Sequence, residues 1–158
     1  MTLTARDLLR LQGVHPDLVK VVQAAAPNFA RSANPQQNLF VIVGLRTLAE
    51  QEALYAQGRT APGLIVTWTL KSNHLTGHAV DLGIILNGKY IGGENEAELK
   101  IYDTLAETML AAAASLKIAI NWGVGGIQSN GRPKADFDHF QLDPQFYPDA
   151  TITQGVST

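Results

Sequence analysis

The sequence of 158 residues contains no cysteine. Disulfide bonds and thiolate metal ligands are therefore excluded, and any metal ion would have to be held by histidine and carboxylate side chains. Charge of one sign is not in strong excess either, since the formal net charge is −2 at pH 7. Nothing in the composition therefore predicts a nucleic-acid partner or an anionic membrane surface.

Apolar runs of transmembrane length are also missing. The tract at 110–116 is too short to cross a bilayer and is followed by Lys117. Near the N-terminus, Arg6 and Asp7 stand where a secretory signal peptide needs its apolar core. We therefore expect synthesis in the cytoplasm, no membrane partner, and a separate release route if the protein acts elsewhere.

The composition is that of an ordinary globular chain, with 46% hydrophobic and 16% charged residues. No internal repeat or linker divides the sequence, and its length suffices for a core without cross-links. We expect one monomeric domain over 1–158, with an N-terminal helical segment at 1–25 and a frayed tail at about 150–158.

Capping residues and apolar periodicity predict the helices. Thr47 with Glu50, and Asn95 with Glu98, have the spacing at which a side chain caps the first turn. Pro16 suits the first turn of another helix. The predicted helices are a short one that stops at Gly13, one that begins at Pro16, one at 48–57 and one at 96–116, with a loop at 27–37.

β-Branched runs and turn residues predict the strands. The dipeptide Asn87-Gly88 is typical of a type I′ hairpin turn, so the strand before it returns antiparallel. The predicted strands lie at 38–45, 64–69, 79–86, 90–91, 118–122 and 138–142, with a glycine-rich loop at 123–134. This pattern predicts an α+β fold in which helices flank an antiparallel sheet.

The stretch 72–81, Ser-Asn-His-Leu-Thr-Gly-His-Ala-Val-Asp, contains two candidate metal ligands. In the predicted strand, Asp81 shares one face with Ala79 and Gly83, while the other face is entirely apolar. A carboxylate on a face without large neighbours can hold an ion and leave room for substrate. His74 precedes the strand in a loop and can approach the same face.

A second histidine comes from the last predicted strand. His139 lies on the face opposite the core residues, and antiparallel pairing would bring it close to Asp81. With His74, these residues form the two-imidazole, one-carboxylate set of a catalytic zinc site. A single histidine is more commonly structural or at the surface. We expect His78 to take no part in the site and His15 to lie at the surface.

Hydrolysis by an activated water also needs a proton acceptor. Asp136 lies just before the last predicted strand and can curl back, whereas an extended strand would point Asp138 away. We therefore expect Asp136 to be the base and Asp138 to be a solvated acid at a loop end. Arg46 can polarise a carbonyl or form a surface ion pair. Ser72 can bind substrate or cap backbone amides.

These residues lie in motifs that resemble the VanY-type zinc peptidases of peptidoglycan. That family includes D,D-carboxypeptidases and the L-alanyl-D-glutamate endopeptidases of phage endolysins. The pattern SxHxxGxAxD occurs at 72–81 and DxxHF at 136–140, while a looser GxRTxxEQxxLYxxG pattern begins at Gly44. The opening Gly-Val-His-Pro-Asp-Leu at 13–18 is similar to the endolysin branch.

The resemblance implies a fold of the Hedgehog and D,D-peptidase type and a zinc ion held by the three candidate ligands. It also implies that Asp136 is the catalytic carboxylate and that Arg46 polarises the substrate carbonyl or binds its carboxylate, with Ser72 close by. The implied activity is cleavage of the L-alanyl-D-glutamate bond in bacterial peptidoglycan by a phage endolysin during host lysis. Trimming of terminal D-alanine is the alternative within the family.

Two other classes of protein fit part of the pattern. Non-haem iron oxygenases also use two histidines and one carboxylate. They typically place the first histidine and the carboxylate two residues apart, whereas His74 and Asp81 are seven apart. A non-catalytic wall-binding module could retain a relict metal site but would not need Asp136. The aspartate at the family's spacing therefore favours an enzyme.

Overall fold

The computed structural model describes residues 3–32 and 36–148, so the predicted frayed tail lies outside the described residues. It has the expected α+β architecture, with helices packed on an antiparallel sheet. The helices are α1 (Ala5–Arg10), α2 (Pro16–Ser32), α3 (Leu48–Ala56) and α4 (Glu96–Leu116), with a 3₁₀ turn at Asn73–Thr76. The strands are β1 (Gln37–Val43), β2 (Ala79–Leu86), β3 (Lys89–Ile91), β4 (Ile120–Ile127) and β5 (Pro133–Leu142).

Strand β2 is the centre of the sheet, whose order is β1-β2-β5-β4. β1 pairs along one edge of β2, while β5 and β3 pair with opposite ends of its other edge. The hairpin between β2 and β3 turns at Asn87 and Gly88, which both have positive φ, as a type I′ turn requires. The central position of β2 brings strands from both halves of the sequence to Asp81.

The core lies between one face of the sheet and the two long helices. Strand β2 contributes Val80, Leu82 and Ile84 to this core, and β5 contributes Phe140 and Leu142, all fully buried. The alternate residues of both strands, which include Asp81 and His139, face away from this core. Burying a side chain of this size stabilises a fold by about 1.5–3 kcal/mol, so this alternation fixes the register strongly.

Helix α2 is longer than the sequence predicts, because it continues through Pro27 to Ser32 instead of ending in a loop. Proline inside a helix removes one backbone hydrogen bond and costs about 3 kcal/mol. Phe29 and Ala30, in the last turns, are buried in the core, and their burial offsets that cost. The prediction of a loop over 27–32 was therefore wrong, and residues 33–35 lie outside the described residues.

Two further predictions were wrong. Residues 64–69 are irregular and belong to no strand of the described sheet. The predicted glycine-rich loop at 123–134 is mostly strand, since β4 continues to Ile127 and β5 begins at Pro133. Glycines with positive φ in β4 distort the ladder without ending it. Within the described residues, no helix is both long and apolar enough to cross a membrane.

Candidate metal centre

His74 is positioned by a short 3₁₀ turn that begins after Ser72 and ends at Gly77. Gly77 has φ +72°, and a Cβ atom there would lie 2.2 Å from the carbonyl oxygen of Gly13. Only glycine can therefore close this turn against the N-terminal segment. The Nδ1–H group of His74 donates to the carbonyl of Gly44 at 2.8 Å. This bond orients the ring so that Nε2 faces Asp81.

Asp81 and His139 are direct partners in the register between β2 and β5. Nδ1 of His139 lies 3.0 Å from Oδ1 of Asp81, and Nε2 of His74 lies 3.1 Å from the same oxygen. The antiparallel pairing inferred from the sequence is therefore confirmed. Nε2–H of His139 donates to the side-chain oxygen of Gln141 at 2.9 Å.

The three residues fit a small, tetrahedrally coordinated metal ion. Their ligand atoms all lie within 4.8 Å of one another. Metal–ligand distances of about 2.0–2.1 Å would separate the ligand atoms by about 3.3 Å, a few tenths of an ångström more than the two shortest distances here. Each imidazole also donates one N–H to an oxygen, Nδ1–H of His74 to Gly44 and Nε2–H of His139 to Gln141. The other ring nitrogen, which faces Asp81, is then free to bind a metal ion.

Electrostatics in the described structure favour a charged Asp81. Burial alone would raise the pKa of its carboxyl group, but hydrogen bonds and charge from His139 and His74 outweigh burial and hold the pKa well below its usual range. Burial lowers the pKa of His139, yet the hydrogen bond and negative charge of Asp81 raise it above the ordinary value. Protons and a metal ion would compete for these atoms, so metal affinity should fall with falling pH.

A cavity of about 460 Å³ opens onto the three residues. Its walls come from α3, from the irregular segment after α3, from the 3₁₀ turn and from the β4–β5 hairpin. The residues that line it include Arg46, Leu54, Val66, Thr67, Thr69, Lys71, Ser72, Val124, Asp136 and Asp138. The candidate metal centre is therefore accessible to a substrate, and every site residue predicted from the sequence lies at this cavity.

Asp136 and Asp138 both lie on a distorted part of β5. Trp122 pairs with Phe140 and Val124 pairs with Ala135, so the four residues 136–139 lie opposite one residue of β4. Asp136 has φ +56°, a backbone conformation that is uncommon for aspartate and indicates local strain. Both aspartates of this bulge line the cavity.

The prediction that Asp138 is a solvated loop-end acid was wrong. Asp138 lies within β5 and is half-buried, whereas Asp136 is exposed. Burial, followed by the negative charge of Asp81, raises the pKa of Asp138 to about 6. The period-2 alternation that would point Asp138 away from the metal ligands is lost in the bulge.

Arg46 is not an isolated surface residue. Its side chain is 16% exposed, and its Nη2 lies 3.9 Å from Oδ2 of Asp81. Nη1 donates to Oε1 of Gln51 at 2.9 Å. Gln51 is fully buried, and its Nε2 donates to the carbonyl of Thr69 at 2.7 Å. Gln51 thus connects Arg46 to the cavity wall.

The remaining candidates have structural contacts. The Ser72 hydroxyl accepts from the amide of His74 at 3.3 Å, so Ser72 caps the 3₁₀ turn as well as lining the cavity. His78 is buried outside the metal cluster, and its Nδ1 donates to the carbonyl of Thr76 at 3.0 Å. The prediction of a surface His15 was wrong, because its ring is half-buried against His78 and Tyr147.

Two glutamines in the site were not assigned a role from the sequence. Gln51 belongs to the GxRTxxEQxxLYxxG pattern, and Gln141 shares a strand face with His139. Their partners are Arg46 and Thr69 in one case and the His139 ring in the other. Their positions in the sequence pattern and on the strand face could have indicated that they lie near the site. Their hydrogen-bond partners depend on the tertiary structure and could not be read from the sequence.

Comparison with known proteins identifies the family. Residues 1–146 match the phage L-alanyl-D-glutamate peptidase family. The solved structure of the L-Ala D-Glu endopeptidase ChiX from Serratia marcescens is similar, with 32% sequence identity, a TM-score of 0.69 and coverage of 92% of each chain. Sequence and fold agree over nearly the whole length, so the chain belongs to the phage L-alanyl-D-glutamate peptidase family.

Proposed function

We propose that His74, Asp81 and His139 hold a catalytic zinc ion and that the protein uses it to cleave the L-alanyl-D-glutamate bond in peptidoglycan stems. The observation that carries this proposal is the convergence of two ring nitrogens on one oxygen of Asp81, at 3.1 and 3.0 Å, in an accessible cavity. Two imidazoles, one carboxylate and no thiolate are a common ligand set for hydrolytic zinc.

A zinc ion in this site would supply a Lewis acid that makes water nucleophilic near neutral pH. Asp136 takes the proton from the attacking water, because its exposed carboxylate lines the cavity three residues before His139. Arg46 stabilises negative charge that develops on the scissile carbonyl oxygen, or binds a substrate carboxylate. Ser72, which lines the cavity, contacts the substrate beside His74.

Gln51 supports this chemistry without touching the substrate. A guanidinium with a fixed partner loses less side-chain entropy when it binds an anion, and Gln51 provides that partner for Arg46. The same amide holds the cavity wall at Thr69. Arg46 is therefore directed towards the reacting bond before substrate arrives.

In the cell, we propose that the protein acts as a monomeric phage endolysin during host lysis. Its partner is the bacterial cell wall, which it reaches after synthesis in the host cytoplasm and release through the inner membrane. The family match supports peptidoglycan as the substrate.

The bond cut is tested by mass spectrometry of purified peptidoglycan digested with the protein. We expect peptides that begin with D-glutamate, glycan strands that retain L-alanine, and no new sugar reducing ends. Free D-alanine as the only product, with intact stems on the glycan, would instead show a D,D-carboxypeptidase.

Gln141 should control metal affinity through His139. The variant Gln141→Leu loses the acceptor for Nε2–H of His139, so that the ring can turn or change tautomer. We expect zinc affinity to fall about 10- to 100-fold, as is typical when such a partner is removed. Gln141→Glu keeps an acceptor and should bind zinc nearly as well as the parent. Titration against a zinc chelator measures both, and equal affinity in Gln141→Leu and parent would show that the hydrogen bond has no such role.

A further inference from the structure

The irregular segment 64–70 exposes apolar side chains beside the candidate metal centre. Trp68 is 80% exposed, Leu64 83% and Val66 54%. Single exposed apolar residues are common, but a contiguous group of them next to a cleft marks a binding surface. The proposed reaction makes no use of this surface.

The backbone on each side of Trp68 is fixed by side chains from α3 and its C-terminal turn. Nε2 of Gln51 donates to the carbonyl of Thr69 at 2.7 Å, and Nη1 of Arg59 donates to the carbonyl of Thr67 at 3.1 Å. The same Arg59 nitrogen donates to the carbonyl of Tyr55 at 2.6 Å. These hydrogen bonds hold the backbone around Trp68 in place although the residue belongs to no helix or strand.

Arg59 also fixes the indole ring itself. Its guanidinium carbon lies 4.0 Å from the centroid of the Tyr55 ring and 5.4 Å from the centroid of the Trp68 ring. Both distances are within the range of cation–π contacts. The guanidinium therefore contacts both rings, and Trp68 remains largely open to solvent.

Trp68 belongs to the segment that forms one wall of the proposed catalytic cavity, although its own side chain is outside the lining. Its neighbours Thr67 and Thr69 line that cavity, as do Val66 and Lys71. Val66 belongs both to the exposed apolar group and to the lining of the cavity. A ligand that extends out of the cavity over this wall can therefore reach the indole ring.

We propose that Trp68 binds the sugar ring of the muramyl residue to which the stem peptide is attached. This inference rests on the proposed function, because L-alanine of the stem is joined through a lactyl group to N-acetylmuramic acid. With about 3.3–3.6 Å per extended residue, the sugar lies on the order of 10 Å from the scissile bond. A sugar at that distance from the reacting bond can reach the wall that carries Trp68.

An exposed indole suits a sugar for a physical reason. The C–H groups on one face of a pyranose ring carry small positive charges and contact the negative face of an aromatic ring. The hydroxyl and N-acetyl groups at the edge of the sugar remain in water, so the ring does not need an enclosed pocket. Segment 59–71 contains only two basic residues, Arg59 and Lys71, which is fewer than the basic cluster expected for an anionic membrane.

Two substrates test the proposal. One is a muramyl peptide with the sugar attached, and the other is the same peptide with an acetyl group in place of the sugar. We expect Trp68→Ala to lower kcat/KM on the muramyl peptide by about three- to tenfold, the range of an aromatic stacking contact, mainly through KM. On the sugar-free peptide the variant should stay within about twofold of the parent. Phe146→Ala, which removes another exposed aromatic side chain, should leave kcat/KM unchanged on both substrates.

A binding measurement keeps the test independent of hydrolysis. Peptide-free glycan chains should shift the indole N–H resonance of Trp68 in the parent protein, whether or not the Ala–Glu bond is cut. An equal loss on both substrates in Trp68→Ala, or no loss on either, would overturn the proposal. So would an unshifted indole resonance, or Trp68-dependent sedimentation with phosphatidylethanolamine and phosphatidylglycerol vesicles. A shifted resonance without cleavage of either substrate would support the sugar site and reject the proposed function.

Discussion

Replacing His139 with alanine is expected to abolish zinc binding and peptidoglycan hydrolysis together. The change removes one of the three proposed ligands and one of the two histidines whose hydrogen bonds hold the pKa of Asp81 low. His74→Ala and Asp81→Ala should behave in the same way. Zinc content by atomic emission and the lysis rate on purified cell walls measure the two losses.

His78→Ala is the matched control for these variants. His78 is a buried histidine four residues after His74, but its ring contacts Thr76 and His15 and lies outside the metal cluster. We expect it to keep stoichiometric zinc and near-parent activity. A zinc-replete, active His139→Ala protein would contradict the site as described.

Thermal unfolding adds a second measurement. A ligand that binds only the folded state stabilises it by about 2.7 kcal/mol at a free concentration of one hundred times Kd. The parent and His78→Ala should therefore unfold at higher temperature when zinc is added, and the three ligand variants should not. A ligand variant that failed to fold would show no cooperative unfolding transition even without zinc.

The sequence was sufficient to predict the metal cluster because strand alternation is regular there. Val80 and Leu82 on one face of β2 require Asp81 on the other, and Phe140 places His139 in the same way on β5. A slip of one residue would place the carboxylate in the apolar core and move the core residues to the opposite face, so the register follows from hydrophobic burial. Local capping rules likewise placed the starts of α3 and α4 correctly.

The errors arose where long-range packing outweighs local preference. Pro27 favours a loop locally, but the burial of Phe29 keeps it in a helix. Residues 64–69 are rich in strand-forming side chains, yet their backbone bonds to Gln51 and Arg59 instead of a neighbouring strand. Neither outcome can be derived from a short window of sequence, since the deciding partners are remote or specific to the fold.

The most consequential of these errors concerns the end of β5. Alternation assumes one residue of β5 for each residue of β4, but 136–139 lie opposite Gly123 alone. Gly123 has φ +66°, and a Cβ atom there would lie 2.2 Å from Cβ of Pro133. The bulge therefore depends on a glycine contact across the hairpin. It brings Asp138 to the cavity, where two carboxylates now stand near the candidate metal centre.

Asp136→Asn and Asp138→Asn separate the roles of these two carboxylates. Asp136 is exposed at the cavity three residues before the proposed ligand His139, and its proposed role is to act on water without holding zinc. Removal of a general base typically costs about 10²–10⁴-fold in rate. We therefore expect Asp136→Asn to fold normally, bind near-stoichiometric zinc and lose activity by roughly that factor.

Asp138→Asn should have a smaller effect, within about tenfold of the parent. Its carboxyl group is half-buried, and burial together with the charge of Asp81 raises its pKa to about 6. An amide of the same shape preserves the packing and removes a negative charge from the neighbourhood of Asp81. Zinc content, the lysis rate and the pH profile of lysis should be measured for both variants. If Asp138→Asn is inactive while Asp136→Asn retains turnover, the bulge has placed Asp138 as the base, and the proton acceptor is the aspartate next to His139.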